Sequence, residues 1–391
     1  MTIAVRRVAG ALAAAVSVAL VLTPAAAQAT PTPQAGAAAE WLADQVPADT
    51  HLFVSVYGAG ESDRFVDYGL NLDLQNALDQ LGDSVTADEV YGAVIADTAA
   101  YTDAFGTRYS GAVGKLATYV ALHGDDPTSI DSRNLIDELA DLLVTEGAEK
   151  GRLKDDPDGD SQSANTVGQS WGVRAFAAAG SDDVDAAAGF LSDQQCADGG
   201  FRLVQKGEDC ESSVDATTLA VMALDELGGY DTEVADAQRY LLDEQAADGS
   251  LSDSGVSNSN STGLATTVFS SLGDTAAATA GVDWIVPLQV VTSTSGLENE
   301  AGAIAFDSDA FDAGVSDGID DIERDQWVRT TAQAATALNV TDAADSDAEP
   351  GISSTVQTWQ LVAAAAAVAV VVVLVLEGRR RNLFARSRIR R

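Results

Sequence analysis

Gln195, followed by the turn Asp198–Phe201 (DGGF), returns fifty residues later as Gln245 followed by Asp248–Leu251 (DGSL). The helix after each turn repeats as well. TTLAVMALDELG, ending at Gly228, becomes TGLATTVFSSLG, ending at Gly273. The same kind of helix closes at Gly180 (VGQSWGVRAFAAAG), Gly124 (AVGKLATYVALHG) and Gly82 (YGLNLDLQNALDQLG), and near Val340 (TTAQAATALNV). Each is rich in Ala, Thr and Leu and ends at the glycine or asparagine that a helix C-terminus favours. Each is preceded by another helix of different character, such as AAEWLADQV, VDAAAGFLSDQQ and VADAQRYLLDEQ. A repeat of this length means stacked supersecondary units, none of which buries its apolar face alone.

The spacing predicts six helical hairpins, at about 38–82, 86–124, 135–180, 184–228, 235–273 and 281–340, with no alternating strand runs beside them. Helices of small residues can crowd round an axis. Those carrying Trp41, Phe190, Tyr240 and Leu242 pack outside them. Six hairpins then close an all-α (α/α)6 toroid, and closure removes the apolar end faces that an open superhelix, the alternative, must cap.

The QQ…DGGF turn and the D-x-T-T-x-x-A helix resemble the prenyltransferase/squalene oxidase repeat of the terpenoid cyclase and prenyltransferase toroids. Transcobalamin-like vitamin B12 carriers and complement thioester domains share that architecture. The resemblance runs through residues 30–340 and speaks for fold rather than activity, because this toroid hosts enzymes and binders alike.

Each activity of the fold demands its own residues. A prenyltransferase zinc site needs Asp, Cys and His. The two histidines, His51 and His123, have no cysteine at ligand spacing, and no metal is expected. Class II cyclases protonate their substrate with the middle aspartate of D-x-D-D-T-A. The matching residues here, Ser213 to Thr218 (SVDATT), keep only Asp215, and the chain is poor in the aromatics that shield a carbocation. Asp215 is therefore either a lone acid or, with Ser213, the cap of a helix. Thioester domains carry C-G-E-Q, which surrounds neither Cys196 nor Cys210. In an exported chain these two cysteines, fourteen apart, point to a disulfide, with a free thiol pair as the alternative. The acidic run Asp155 to Asp160 (DDPDGD) begins like a calcium loop but has Val167 where the twelfth position needs glutamate.

The chain ends bear on location. Arg6 and Arg7, the apolar run Val8 to Leu22 and the small residues near Ala27 describe a signal peptide over 1–29, with a retained anchor as the alternative. An acidic linker extends beyond the toroid over 341–357. An apolar helix with Trp359 at its edge covers 358–377, and seven arginines lie in 378–391. That arrangement predicts a single-pass membrane protein with an extracellular toroid and a cytoplasmic tail. The Ala-rich, acidic composition suggests a bacterial origin. A formal charge of −38, with nine of the 22 basic residues in the terminal segments, argues against nucleic acid as a partner.

The starts of the inner helices give the candidate ligand residues: Tyr68, Arg108, Tyr109, Asn165, Asp215, Asn260 and Arg329, with Trp171 as a flat surface. The expected function is non-catalytic binding of a bulky small molecule. By resemblance to the carriers this is a corrinoid, handed to an uptake transporter in the same membrane. A diverged cyclase using Asp215 and a structural cell-surface protein are the alternatives.

Overall fold

The computed structural model describes residues 31–60, 63–155, 163–205 and 209–340. The expected signal peptide, linker, membrane helix and basic tail, and most of the DDPDGD loop, lie outside the described residues. Among the described residues no helix is long and apolar enough to cross a membrane.

Six helices form an inner ring: α2 (Tyr68–Gln80), α5 (Ser110–His123), α7 (Thr166–Ala179), α9 (Val214–Leu227), α11 (Ser259–Ser271) and α14 (Glu323–Ala334). Each packs on the next, and α14 returns to α2, so the ring is closed. The outer layer is α1 (Pro33–Asp44), α3 (Ser84–Ile95), α6 (Leu135–Ala140), α8 (Val184–Ser192), α10 (Asp231–Glu244) and α12 (Thr275–Ile285). Two short helices, α4 (Thr98–Thr102) and α13 (Ser308–Asp317), lie in the connections. The chain is an (α/α)6 toroid, as the repeat predicts.

Burial separates the layers. In α7 every residue from Thr166 to Phe176 is buried, and in α11 every residue from Ser259 to Phe269. A helix covered all round belongs inside. In α10 only Val234, Ala237, Tyr240 and Leu241 are buried, one face at helical spacing. Small residues set how tightly the ring closes. A Cβ on Gly111 or Gly114 of α5 would press on the backbone of Gly168 or Gly172 of α7, so bulk at these positions would force the two helices apart.

The Q…DG motif is a joint between repeats. Gln195 Nε2 donates to Gly199 O at 2.9 Å and to Glu233 O of the next outer helix at 2.8 Å. Gln245 does the same to Gly249 O and Ala277 O, at 3.1 and 3.0 Å. Gln289 repeats the pattern with Gly302 O at 3.1 Å and Gln34 O of α1 at 2.9 Å. The sixth turn thus docks on the first helix and shuts the ring. Asp198 and Asp248 close their own turns by accepting from Gly200 N and Ser250 N, both at 3.1 Å.

Three short antiparallel hairpins, missed in the sequence, precede inner helices: β1–β2 (Val54–Val56 with Arg64–Val66), β3–β4 (Phe201–Arg202 with Ser212–Ser213) and β5–β6 (Ser252–Asp253 with Val256–Ser257). They are too short for a period-two pattern to register. The backbone entering each of α2, α7, α9, α11 and α14 is tied to a polar side chain on that helix. Phe201 N donates to Thr217 Oγ1 (2.7 Å), Leu251 N to Thr262 Oγ1 (2.9 Å) and Ile304 N to Thr331 Oγ1 (2.8 Å). Phe53 and Leu153 do the same with Asn71 and Gln169. These bonds set the level of those five helices in the ring.

Both ends of the toroid meet at one place. Thr32 Oγ1 donates to Leu338 O at 2.8 Å, and Thr32 N to Asn339 Oδ1 at 3.2 Å. This junction lies past the C-terminal end of α14, at the opposite end of the ring from the inner-helix N-termini and the hairpins.

Candidate functional site

Two polar regions lie along the inner ring: the axis itself, and the mouth where the inner helices begin.

The axis is filled. Asp73 of α2 lies 2.6 Å from Lys115 Nζ of α5 and accepts from Tyr119 Oη at 3.0 Å and Gln333 Nε2 of α14 at 3.3 Å. Lys115 also donates to Gly69 O at 3.0 Å. Asn260 of α11 continues the chain, donating to Gln333 Oε1 and accepting from Thr330 Oγ1 at 3.2 Å. Trp171 of α7 lies beneath two cations, Lys115 at 5.8 Å and Arg174 at 5.0 Å from the ring centre, with Tyr119 tilted against it at 5.6 Å. Arg174 in turn pairs with Glu226 at 2.8 Å. Asp73 is 0 %, Lys115 2 %, Trp171 1 % and Gln333 1 % exposed, and a wall lining a water-sized chamber would keep more surface than that. Burial pushes the Tyr119 phenol far above its ordinary value, with Asp73 adding to the effect.

At the mouth, the last inner helix meets the first hairpin. Arg329 donates to Asp67 Oδ2 at 2.9 Å and to Asp325 Oδ2 at 3.4 Å, and Tyr57 Oη donates to the same Asp325 oxygen at 3.3 Å. Burial works against the charge on Asp67, but Arg329 outweighs it and holds the carboxyl below its usual range. Burial raises the Tyr57 phenol to about 12. The Tyr57 ring stacks on Phe65 at 5.0 Å, and both rings are exposed in part.

A second mouth cluster surrounds Asp215. Ser213 caps α9 by accepting from Ala216 N at 3.1 Å, and its hydroxyl donates to Asp253 Oδ1 at 2.7 Å. Asp215 N also faces Asp253 Oδ1, at 3.5 Å. The Asp215 Oδ1 atom is buried and meets no hydrogen-bond donor. Burial first, and then the charge of Asp253, raise its carboxyl from 3.8 to about 7, against a smaller opposing hydrogen bond from Ser261. Asp215 is thus a first-turn residue beside its cap, and a carboxyl that holds its proton near neutral pH.

The expected candidates divide. Asn260, Trp171 and Arg329 belong to the buried axis and its upper rim. Arg329 is not at a helix start: α14 begins at Glu323, yet Thr331 makes the bond that Thr217 and Thr262 make. Counting back two residues puts Arg329 level with Asp215 and Asn260, the register expected for it, although α14 begins earlier, at Glu323. Asn165 caps α7 through Gly168 N at 2.9 Å. Tyr109 precedes α5, and Ser110 there bonds Asp155 through both N and Oγ at 2.9 Å. Arg108 pairs outward with Asp103 at 2.9 Å and Glu138 at 3.7 Å. Tyr68 packs, partly buried, against the core. Cys196 and Cys210 form the disulfide, closing the β3–β4 turn. Among the described residues no three His, Cys, Asp or Glu side chains gather as metal ligands.

Sequence reasoning missed Asp73, Lys115, Gln333, Tyr57 and Asp253. One signal was present: Lys115 is a lone cation in an otherwise apolar, small-residue helix.

No protein-family model matches the chain, and no curated protein matches it. Among solved structures it is similar to a protein from Actinoplanes, with a TM-score of 0.55 and 15 % identity over 78 % of this chain and 98 % of that one. It is also similar to the unsaturated glucuronyl hydrolase of Bacillus sp. GL1, described as responsible for the degradation of glycosaminoglycan. That match has a TM-score of 0.52 and 13 % identity over 78 % and 95 % of the two chains. The ent-copalyl diphosphate synthase of Streptomyces platensis matches at 0.47 and 17 %, over 70 % of this chain and 50 % of that enzyme. At these identities the likeness shows the toroid and nothing finer.

Proposed function

We propose that this protein is a membrane-tethered binding toroid that takes its ligand on the mouth of the ring rather than within it. The carrying observation is the filled axis. Asp73, Lys115, Tyr119, Trp171 and Gln333 occupy the space that a chamber for a polyprenyl chain or an enclosed corrinoid would need. The geometry at Thr32 and Asn339 supports the same reading: a tether leaving there points the mouth away from its attachment. A corrinoid, bulky and flat, remains a candidate ligand for such an open surface, and an uptake transporter a candidate partner.

Titrating the full chain in detergent with cyanocobalamin, and following hydrogen exchange, tests this reading. A ligand held at the mouth slows exchange in the hairpins over 52–66, 201–213 and 252–258. Protection confined to the middle turns of α5 and α7 would contradict a mouth site.

One observation favours a second, enzymatic reading. A carboxyl raised to about 7 beside another carboxylate is suited to general acid work. Under that reading Asp215→Asn abolishes a turnover that the binding reading does not contain. The glycosaminoglycan-degrading neighbour makes unsaturated oligosaccharides the first substrates to assay.

A further inference from the structure

At the seam where the toroid closes, β1–β2 and the segment leading into α14 face each other across an open cleft of about 420 Å³. Val56, Gly58, Ala59 and Arg64 line one side, and Asp320, Asp321 and Ile322 the other. The volume falls within the range of small-ligand sites. Ala59 and Ile322 supply aliphatic surface, and Ile322 is left 47 % exposed. Arg64 Nη2 reaches Asp321 Oδ2 at 2.9 Å across the opening, with the two side chains 51 % and 72 % exposed. An ion pair so open to water contributes little to holding the ring together and exchanges readily with other charges. Asp320 is committed elsewhere: its Oδ1 accepts from Ile322 N at 2.8 Å and Glu323 N at 2.9 Å, capping α14.

We propose that this cleft binds a small zwitterion with an aliphatic body, an apolar amino acid or dipeptide, by insertion between Arg64 and Asp321. The site rests on the mouth-binding reading and names one ligand class for it. The charge balance selects the class. A lone anion on Arg64 strands Asp321 without its counter-charge in a strongly acidic protein. A lone cation on Asp321 strands Arg64. A zwitterion replaces one solvated pair by two charge-assisted pairs, carboxylate on guanidinium and ammonium on carboxylate, and leaves the net charge of the cleft unchanged. Its aliphatic side chains lie over Ala59 and Ile322. Because the two walls come from opposite ends of the toroid, an occupant also ties the first hairpin to the last inner helix.

The test is calorimetric titration of the full chain in detergent with L-leucyl-L-leucine, its N-acetylated form and its C-terminal amide. The free dipeptide binds, each capped form binds at least tenfold more weakly, and Arg64→Gln weakens the free dipeptide at least tenfold. Arg64 is exposed, so this variant keeps the fold, and an unchanged melting temperature without ligand checks that it does. Absence of dipeptide binding at millimolar concentration, equal binding of the capped forms, or an unaffected Arg64→Gln variant each overturns the proposal. Hydrogen exchange with cyanocobalamin separates the two ideas: hairpin protection there, with no dipeptide binding, sinks the zwitterion site and leaves the mouth reading standing.

Discussion

Asp73 and Lys115 face each other at 2.6 Å from adjacent helices of the inner ring, both out of contact with water. Desolvating two charges is costly, and the pair is sustained by further bonds from Tyr119, Gln333 and the Gly69 carbonyl. Lys115→Met leaves Asp73 as an uncompensated buried charge, and the expected loss is about 3–5 kcal/mol in urea unfolding. Adding Asp73→Asn to Lys115→Met should restore much of that loss, since no unpaired charge remains. Additive losses in the double variant would show that the two residues do not act as a pair.

Gly302 joins the last repeat to the first helix. Its φ is +105°, and a Cβ there would fall on the Ala37 carbonyl of α1. Gly124 has a similar φ, +96°, with open space where its Cβ would go. Alanine at Gly124 therefore carries only the left-handed backbone cost, about 1–2 kcal/mol. Alanine at Gly302 adds displacement of α1 to that cost, so its melting temperature should fall further. The variant should also expose the turn around Gln289 to proteolysis. Equal effects at the two positions would mean that ring closure does not depend on this contact.

The Cys196–Cys210 bridge closes a loop whose ends are fourteen residues apart. In the chain-entropy account such a crosslink contributes about 3 kcal/mol. Replacing both cysteines by serine should lower the urea midpoint by a corresponding amount. A reducing agent should do the same to the parent chain and leave the double variant unchanged. No difference between parent and variant would place the bridge's role outside stability.

The fold was legible because the joint between repeats is local in the best-preserved units. Gln195 and Gly199, and Gln245 and Gly249, sit four residues apart, so the hydrogen-bonded turn appears in sequence as a motif. In the sixth repeat the same bond links Gln289 to Gly302 across thirteen residues, and its outer partner, α1, comes from the other end of the chain. No local pattern records that. The site was less legible for a related reason. Asp73, Lys115 and Gln333 belong to three different helices, and apart from Lys115, alone among small apolar residues, each resembles an ordinary polar surface residue. Only closure of the ring turns them inward. Asp253 escaped notice likewise, since its hairpin is two residues a side and its meeting with Ser213 spans forty positions.

Asp215 gives the toroid a pH dependence of definite sign. Burial, with Asp253 adding to it, raises this carboxyl from 3.8 to about 7 in the folded state. The folded chain thus holds a proton that the unfolded chain releases at the ordinary value, and folding is favoured where both are protonated. That contribution is complete below the unfolded value and is lost as the pH rises through about 7. Carboxyls held low by cations, Asp67 by Arg329 and Glu300 by Arg324, act in the opposite sense and only in acid, below the usual carboxylate range. The two effects therefore occupy different windows. Asp215→Asn keeps the shape of the side chain and never ionises. Its melting temperature relative to the parent chain should climb between about pH 4 and pH 7, where the unfolded chain has released the proton that the folded parent still holds, and level off above that as the folded parent releases it too. Parallel curves across that window would mean that Asp215 titrates as an ordinary carboxylate. Asp215 would then carry no proton near neutral pH, and the acid-catalyst reading would lose its support.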